Sequence, residues 1–140
     1  MSPTESWVMG CNALHKLFHS LDEHRDRDSV MMFAPHGVWV RQGVALSGRE
    51  QIAGALAQRP KTTRFQHVIS NQVLDSDDGN GFILSFYLTL YKHDGGEDLG
   101  GPSPLSGPVL VGFGKAGFVE DSGSCLLAHL SVGEPRFLAA

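Results

Sequence analysis

The apolar pattern of this 140-residue chain changes its period at Pro60, and that change limits the folds open to it. Before Pro60, apolar residues recur every three or four positions, which is the period of amphipathic helices. After Pro60, long stretches rich in Val, Ile, Leu and Phe are separated by glycine-rich turns, which is typical of strands. A chain whose helices precede its strands predicts an α+β fold, with the helices covering one face of an antiparallel sheet.

Three helices are predicted before Pro60, over Glu5–Asp22, Asp26–Phe33 and Gly48–Gln58. The first carries an apolar stripe and has a capping residue, Thr4 or Ser6, at its start. The stripe consists of Trp7, Cys11, Leu14, Leu17, Phe18 and Leu21.

The second helix is expected to end before a turn over residues 34–37. The third has Ser47 and Glu50 at capping-box spacing. Its inner face should consist of Ile52 and Leu56, with Ala53 beside them.

A short strand over Gly37–Gly43 and four long strands are predicted. The long strands are Phe65–Leu74, Phe82–Lys92, Val109–Glu120 and Ser124–Gly133. The sequence SDDGNG favours a hairpin between the first two, and the glycines within the third predict a bulge or sharp curvature. A strongly curved sheet covered by helices makes a cone with a pocket at its open end. Whether the loop over residues 93–108 closes that pocket is left open.

Composition excludes several classes of partner. The formal net charge is −4 and the 11 Lys and Arg form no cluster, so neither nucleic acid nor an anionic membrane is expected as a partner. Cys11 and Cys125 are far apart and are expected to be reduced thiols. The N-terminus lacks the pattern of a signal peptide, and no apolar run reaches about 20 residues, the length of a membrane span. We expect one soluble, cytoplasmic domain over residues 1–140.

The sequence RFQHVISN, residues 64–71, raises the question of function. Strand alternation places His67, Ile69 and Asn71 on one face. Either this face is solvated, or it lines an interior pocket that needs a proton carrier and a hydrogen-bonding group.

Three stretches together carry a family resemblance: LDEHRDRDSVMMFAPHGVWVRQG, LSGREQIAGAL and RFQHVISN. Their order and spacing resemble the SnoaL-like branch of the nuclear transport factor 2-like superfamily, from about Trp7 to Val132. The resemblance implies a cystatin-like, cone-shaped barrel in which three N-terminal helices pack on the sheet. It also implies a homodimer formed through the outer sheet face.

Members of this superfamily include polyketide cyclases, dehydratases, ketosteroid isomerases and small subunits of ring-hydroxylating dioxygenases. The resemblance implies that Asp22 and His67 share the pocket, and Asn71 matches the Asn of the family strand motif. Whether Asp22 or Glu23 faces the pocket is open. No metal, nucleotide or other cofactor is expected.

A carboxylate and an imidazole in an apolar pocket can shuttle a proton near neutral pH. Asn71, Tyr87 or Tyr91 could donate a hydrogen bond to a developing enolate oxygen. Trp39, Arg41 and Phe86 are further candidates for contact with a flat apolar substrate.

Each of these residues also has a structural interpretation. Asp22 could pair with Arg25, and His67 could be a core histidine. Asn71 could bridge neighbouring strands, Arg41 could form a salt bridge, and Trp39 could belong to the core.

Cys11, His15, His19 and Glu23 lie four apart on the first helix, but each step of four turns by about 40°, so they cannot converge on a metal. Three functions therefore remain. The first is a cofactor-independent lyase or isomerase acting on an apolar or aromatic carbonyl compound. The second is a non-catalytic domain that binds or helps to bind such a molecule. The third is an assembly subunit whose pocket is filled with side chains.

Overall fold

A computed structural model describes residues 1–97, 99–133 and 135–140. Helix α1 spans Pro3–Asp22, and every residue of the predicted stripe except Trp7 is buried. Trp7 is 42% exposed and its indole N–H donates to the carbonyl of Gln72. The capping residue is Ser2, which accepts from the Glu5 N–H, so the prediction of Thr4 or Ser6 is wrong. Ser6 is instead buried and donates to Asp77.

Helix α2, Asp26–Met31, is shorter than predicted, because Phe33 begins the first strand. Helix α3, Gly48–Ala57, buries Ile52 and Leu56 as expected, whereas Ala53 is exposed. Ser47 precedes α3, but its side chain makes no capping bond. The Gln51 side chain accepts from the Ser47 N–H, so the predicted capping box with Glu50 does not form.

Within the described ranges, seven strands form one curved sheet. They are β1 Phe33–Arg41, β2 Val44–Ser47, β3 Thr63–Asp77, β4 Gly81–Asp94, β5 Leu110–Asp121, β6 Ser124–Val132 and β7 Phe137–Leu138. The order is β2-β1-β6-β5-β4-β3, with β7 paired to β5. The sheet is mixed, because β1 and β6 run parallel while the other pairs are antiparallel. It does not close, because β2 and β3 at its two ends do not pair.

Residues 34–37, where a turn was predicted, belong to strand β1, so that expectation is wrong. The chain stays extended there, and the register with β6 shifts between Phe33 and Val38. The actual reversal is at Gln42 and Gly43, whose positive φ values of 51° and 77° suit a two-residue hairpin. This hairpin creates β2, which was not predicted. The register between β5 and β6 shifts after Gly117, but the extra residue there is Ala128 of β6, and β5 pairs with β4 without a shift, so no bulge in β5 itself is found within the described residues.

The core lies between α1, α3 and the inner face of the sheet. Leu14 and Leu17 of α1 pack with Leu84 and Phe86 of β4, and all four are inaccessible to solvent. Both cysteines are free: Cys11 is buried and Cys125 is half-buried. Within the described residues, no helix is long and apolar enough to cross a membrane.

Candidate functional site

A cavity of about 840 Å³ opens between the inner sheet face and the ends of α1 and α3. A volume of several hundred Å³ is typical of small-molecule sites. Much of its wall is apolar, with Phe18, Leu21, Trp39, Val40, Ala55, Pro60, Phe65, Leu88, Leu90, Leu110, Val132 and Pro135. The polar lining side chains are Arg41, Gln42, Gln58, Arg59, Thr63, His67 and Lys92.

Asp22 and His67 meet at the edge of this cavity. One carboxylate oxygen of Asp22 accepts from the His67 ring Nδ1–H at 2.5 Å, and the other accepts from the His67 backbone N–H at 3.1 Å. The side chains are 14% and 13% exposed. This two-point contact fixes both the strand backbone and the ring, and a carboxylate beside Nδ1 favours the tautomer with the proton on Nδ1 and none on Nε2.

The end of α1 decides which acidic residue faces inward. Leu21 is buried, Asp22 is half-buried and Glu23 is exposed, so Asp22 is turned further inward than Glu23 and reaches the cavity edge through its contact with His67. The helix ends there because His24 takes a positive φ of 56°. The His24 ring then hydrogen-bonds the Thr63 carbonyl at 2.6 Å, which ties the helix end to the start of β3.

The His67 ring is held between two phenylalanines. Its centroid lies 4.8 Å from the Phe18 ring and 6.2 Å from the Phe65 ring. Asp22 is the hydrogen-bond partner of His67, and within the described residues Nε2 has none. An imidazole fixed in this way can accept a proton at Nε2 while Asp22 stabilises the resulting cation.

Arg41 and Arg59 are the arginines of the cavity wall. The Arg41 guanidinium lies 5.5 Å from the Trp39 ring centroid, and that of Arg59 lies 5.0 Å from the Phe65 centroid. Burial, and then the positive charge of Arg59, lower the pKa of Arg41 from its ordinary value. Arg59 is neutralised by Asp26 at 3.1 Å and also donates to the Leu21 carbonyl.

Trp39 is 6% exposed and stacks on Phe33 at 5.7 Å, so it belongs to the core as well as to the cavity wall. Its indole Nε1 is buried without a partner within the described residues.

Three predicted substrate-contacting residues do not reach the cavity. Asn71 is exposed at a β3 bulge, with φ 57° and a register shift between Ser70 and Val73. Strand alternation is broken there, so Asn71 does not share the face of His67. Phe86 is fully buried in the core, and Tyr87 is 44% exposed on the opposite sheet face.

The sequence analysis missed Arg59 and Lys92. Arg59 lies two residues beyond the end of helix α3, and Lys92 pairs with Phe65 across β3 and β4. The position of Lys92 relative to His67 follows from strand register, whereas that of Arg59 depends on how the end of α3 packs against α1 and β3. None of the described residues of the loop over residues 93–108 lines the cavity. Several of them form a separate groove of about 470 Å³ with outward-facing residues of β3 and β4.

Within the described residues, no group of three or more His, Cys, Asp or Glu side chains is placed to hold a metal ion. The helix face carrying Cys11, His15, His19 and Glu23 therefore shows no such cluster.

Helices packed on a curved, unclosed sheet around a cavity define an α+β protein with a cystatin-like fold, the fold of a similar solved structure from Nostoc punctiforme. The model for the SnoaL-like domain matches residues 11–121, so the chain belongs to the SnoaL-like family. No curated protein sequence matches it.

Two similar solved structures come from Streptomyces. Aln2, from a Streptomyces species, has 18% identity and a TM-score of 0.77, and the match covers 96% of this chain and 93% of Aln2. ActVI-ORFA from Streptomyces coelicolor has 14% identity and a TM-score of 0.73, covering 91% and 95%.

A third similar structure, a Catenulispora acidiphila protein, was solved in complex with S-DNPA. It has 19% identity and a TM-score of 0.69, and the match covers 90% of this chain and 92% of that protein.

Proposed function

We propose that this protein is a cofactor-independent lyase or isomerase, of the dehydratase or cyclase type, acting on an apolar aromatic carbonyl compound. The observation that carries the proposal is the contact of Asp22 with both the ring Nδ1 and the backbone N–H of His67. The second candidate, a non-catalytic binding domain, needs the cavity and gives this pair a structural role alone.

The proposed reaction begins with proton removal. His67 Nε2 takes a proton from the carbon next to the substrate carbonyl, giving an enolate and an imidazolium stabilised by Asp22. The imidazolium then returns the proton to a different carbon, which is isomerisation, or gives it to a departing hydroxyl, which leaves as water. The pair ends each cycle in its starting protonation state.

The cavity wall supports a flat apolar substrate. Phe18 and Phe65 flank His67, and Leu88 and Leu90 of β4 continue the same surface. Lys92, whose ammonium lies 5.9 Å from the Phe65 ring centroid, supplies positive potential for a developing enolate oxygen, the role first expected of Asn71, Tyr87 or Tyr91. The structure of the Catenulispora acidiphila protein with S-DNPA supports small-molecule binding by this fold.

The test is exchange of substrate protons with solvent. Aromatic ketones and diketones are incubated in D₂O with the wild type and with His67→Gln, and loss of the C–H signal next to the carbonyl is followed by NMR. We expect the wild type to exchange these protons, and we expect His67→Gln to exchange them at a rate lower by about 10²-fold or more. His36→Gln, at an exposed histidine, is the matched control and should exchange normally. Equal proton exchange by His67→Gln and His36→Gln would contradict the proposal. Ligand binding by the wild type without proton exchange would favour the second candidate, a non-catalytic binding domain.

We also propose a homodimer through the sheet face opposite the helices. Val68, Val73, Ile83 and Tyr87 are exposed there at 39–54% each, and such an apolar patch is typical of an interface. Sedimentation velocity should show a dimer for the wild type and a shift to monomer for Ile83→Lys. A monomeric wild type would contradict this part of the proposal.

A further inference from the structure

Among the residues that the structure describes, the charged side chains lining the cavity are basic. Arg41, Arg59 and Lys92 lie in its wall, and within the described residues none of the acidic side chains does. This contrasts with the whole chain, where 15 Asp and Glu outnumber 11 Lys and Arg. A wall of one sign inside a protein of the opposite sign attracts an oppositely charged ligand.

Two cations of this wall, Arg41 and Lys92, form no salt bridge within the described residues, and of these Arg41 has the planar guanidinium that suits a carboxylate. It ends strand β1 at the Gln42–Gly43 hairpin and is half-buried. Its guanidinium is held over the Trp39 ring. Within the described residues it has no carboxylate within 4.0 Å and no hydrogen-bond acceptor, whereas Arg59 is bound by Asp26.

A second observation points the same way. The indole Nε1–H of Trp39, beneath Arg41, is a buried donor without an acceptor within the described residues. Buried donors are normally paired, so this N–H lacks the acceptor that its burial requires. The Arg41 guanidinium and the Trp39 indole can only donate, and a carboxylate accepts two parallel bonds from a guanidinium.

We propose that Arg41 binds a carboxylate carried by the ligand, which makes the ligand class aromatic keto acids. Strands β1 and β3 lie near opposite ends of the sheet order, so Arg41 and His67 face the cavity from different sides. The carboxylate is held at Arg41 while the carbonyl end reaches His67. The placement of the carbonyl end rests on the proposed function, whereas the carboxylate site does not.

The test compares two unreactive probes of the same shape, 2-naphthoate and 2-naphthamide, by isothermal titration calorimetry. We expect the wild type to bind the carboxylate at least about tenfold more tightly than the amide. Arg41→Gln should reduce that preference to less than about threefold while leaving the amide affinity unchanged. Arg41→Lys should keep part of the preference, because it retains the positive charge. It should not keep all of it, because an ammonium lacks the bidentate geometry of a guanidinium.

Arg27→Gln is the matched control, because it removes the same charge from an exposed position on α2 and should keep the full preference. In ¹H–¹⁵N spectra, 2-naphthoate should shift the indole N–H of Trp39 but not that of Trp7. A wild type without preference for the carboxylate, or an Arg41→Gln variant that keeps it, would overturn the proposal.

The binding measurement also separates this proposal from the catalytic one. Asp22→Asn should retain the preference for 2-naphthoate even though it impairs proton exchange. Suppose that Arg41→Gln loses the preference for 2-naphthoate but the wild type exchanges no substrate protons. The carboxylate site would then stand, and only the proposed enzymatic activity would be contradicted.

Discussion

Asp22, the last residue of the first helix, holds both the ring and the backbone of His67, 45 positions further along the chain. The contact joins helix α1 to strand β3 at the cavity edge, so it serves structure as well as the proposed chemistry. Its removal should therefore be visible in stability measurements that require no substrate.

Replacing Asp22 with Ala should lower the free energy of unfolding by about 1–3 kcal/mol, because two half-buried N–H groups of His67 lose their acceptor. Urea denaturation measures this. Glu23→Ala, at the neighbouring exposed carboxylate, is the control and should change stability by less than about 0.5 kcal/mol. Equal effects of the two variants would show that the contact with His67 contributes nothing to folding.

Arg59 should act as a positioning residue for the same helix end. It donates to the Leu21 carbonyl and to Asp26, and its side chain is only 10% exposed. Arg59→Gln should cost about 1–3 kcal/mol, because it leaves Asp26 and a backbone carbonyl short of a donor. It should also broaden the His67 ring resonances in NMR spectra, since Asp22 follows Leu21 directly. A stability loss with unchanged His67 resonances would assign Arg59 a structural role alone.

Gly10 allows α1 to approach β4. A Cβ at this position would lie 2.6 Å from the Phe82 ring and 2.7 Å from Leu84, and both residues are buried. Gly10→Ala should therefore destabilise the protein by about 1–3 kcal/mol despite the better helix propensity of alanine.

Gly54 of helix α3 is the matched control for Gly10, because nothing lies within 4 Å of its added Cβ. Gly54→Ala should stabilise the protein by about 0.5–1 kcal/mol in the same thermal or urea denaturation. Destabilisation by both substitutions would mean that crowding at Gly10 is not the cause.

Acid sensitivity should depend on Asp77. The Ser6 hydroxyl, and then the Gly79 N–H, lower the pKa of the Asp77 carboxyl below its ordinary value near 3.8. A carboxyl with a lowered folded-state pKa adds stability above its unfolded-state pKa, and that stability is lost as the pH falls through the folded-state pKa. The loss should thus occur below about pH 3.8.

Ser6→Ala removes the larger cause, so it should reduce the acid-dependent loss of stability in urea titrations compared at about pH 5 and about pH 3. Asp77→Asn should remove this residue's share entirely. A pH dependence identical to that of the wild type in both variants would be inconsistent with the role given to Asp77.

The sequence predicted the helices, the long strands and the meeting of Asp22 with His67 well, because these rest on regular periods and on a family pattern. It failed where periodicity is interrupted. The β3 bulge at Asn71 turns that side chain away from the face of His67, and no glycine or proline marks the break. The parallel pairing of β1 with β6 joins segments far apart in sequence, which local patterns do not encode.

The misplacement of Tyr87 has a similar cause. Strand alternation shows that Phe86 and Tyr87 face opposite ways, but not which of them faces the helices or whether the inward position is core or cavity. Arg41 does line the cavity, because it lies on the same strand face as Trp39, next to the hairpin at Gln42.

The most direct test of the central claim is the protonation pattern of the His67 ring, read from ¹⁵N-labelled protein by long-range ¹H–¹⁵N correlation at a pH where the ring is neutral. If Asp22 fixes the ring, Nδ1 carries the proton and Nε2 is bare, and 2-naphthoate in the cavity shifts the Nε2 resonance. A proton on Nε2 in the free protein, or an Nε2 resonance that does not respond to the ligand, would contradict the role of His67 as the proton carrier of this site.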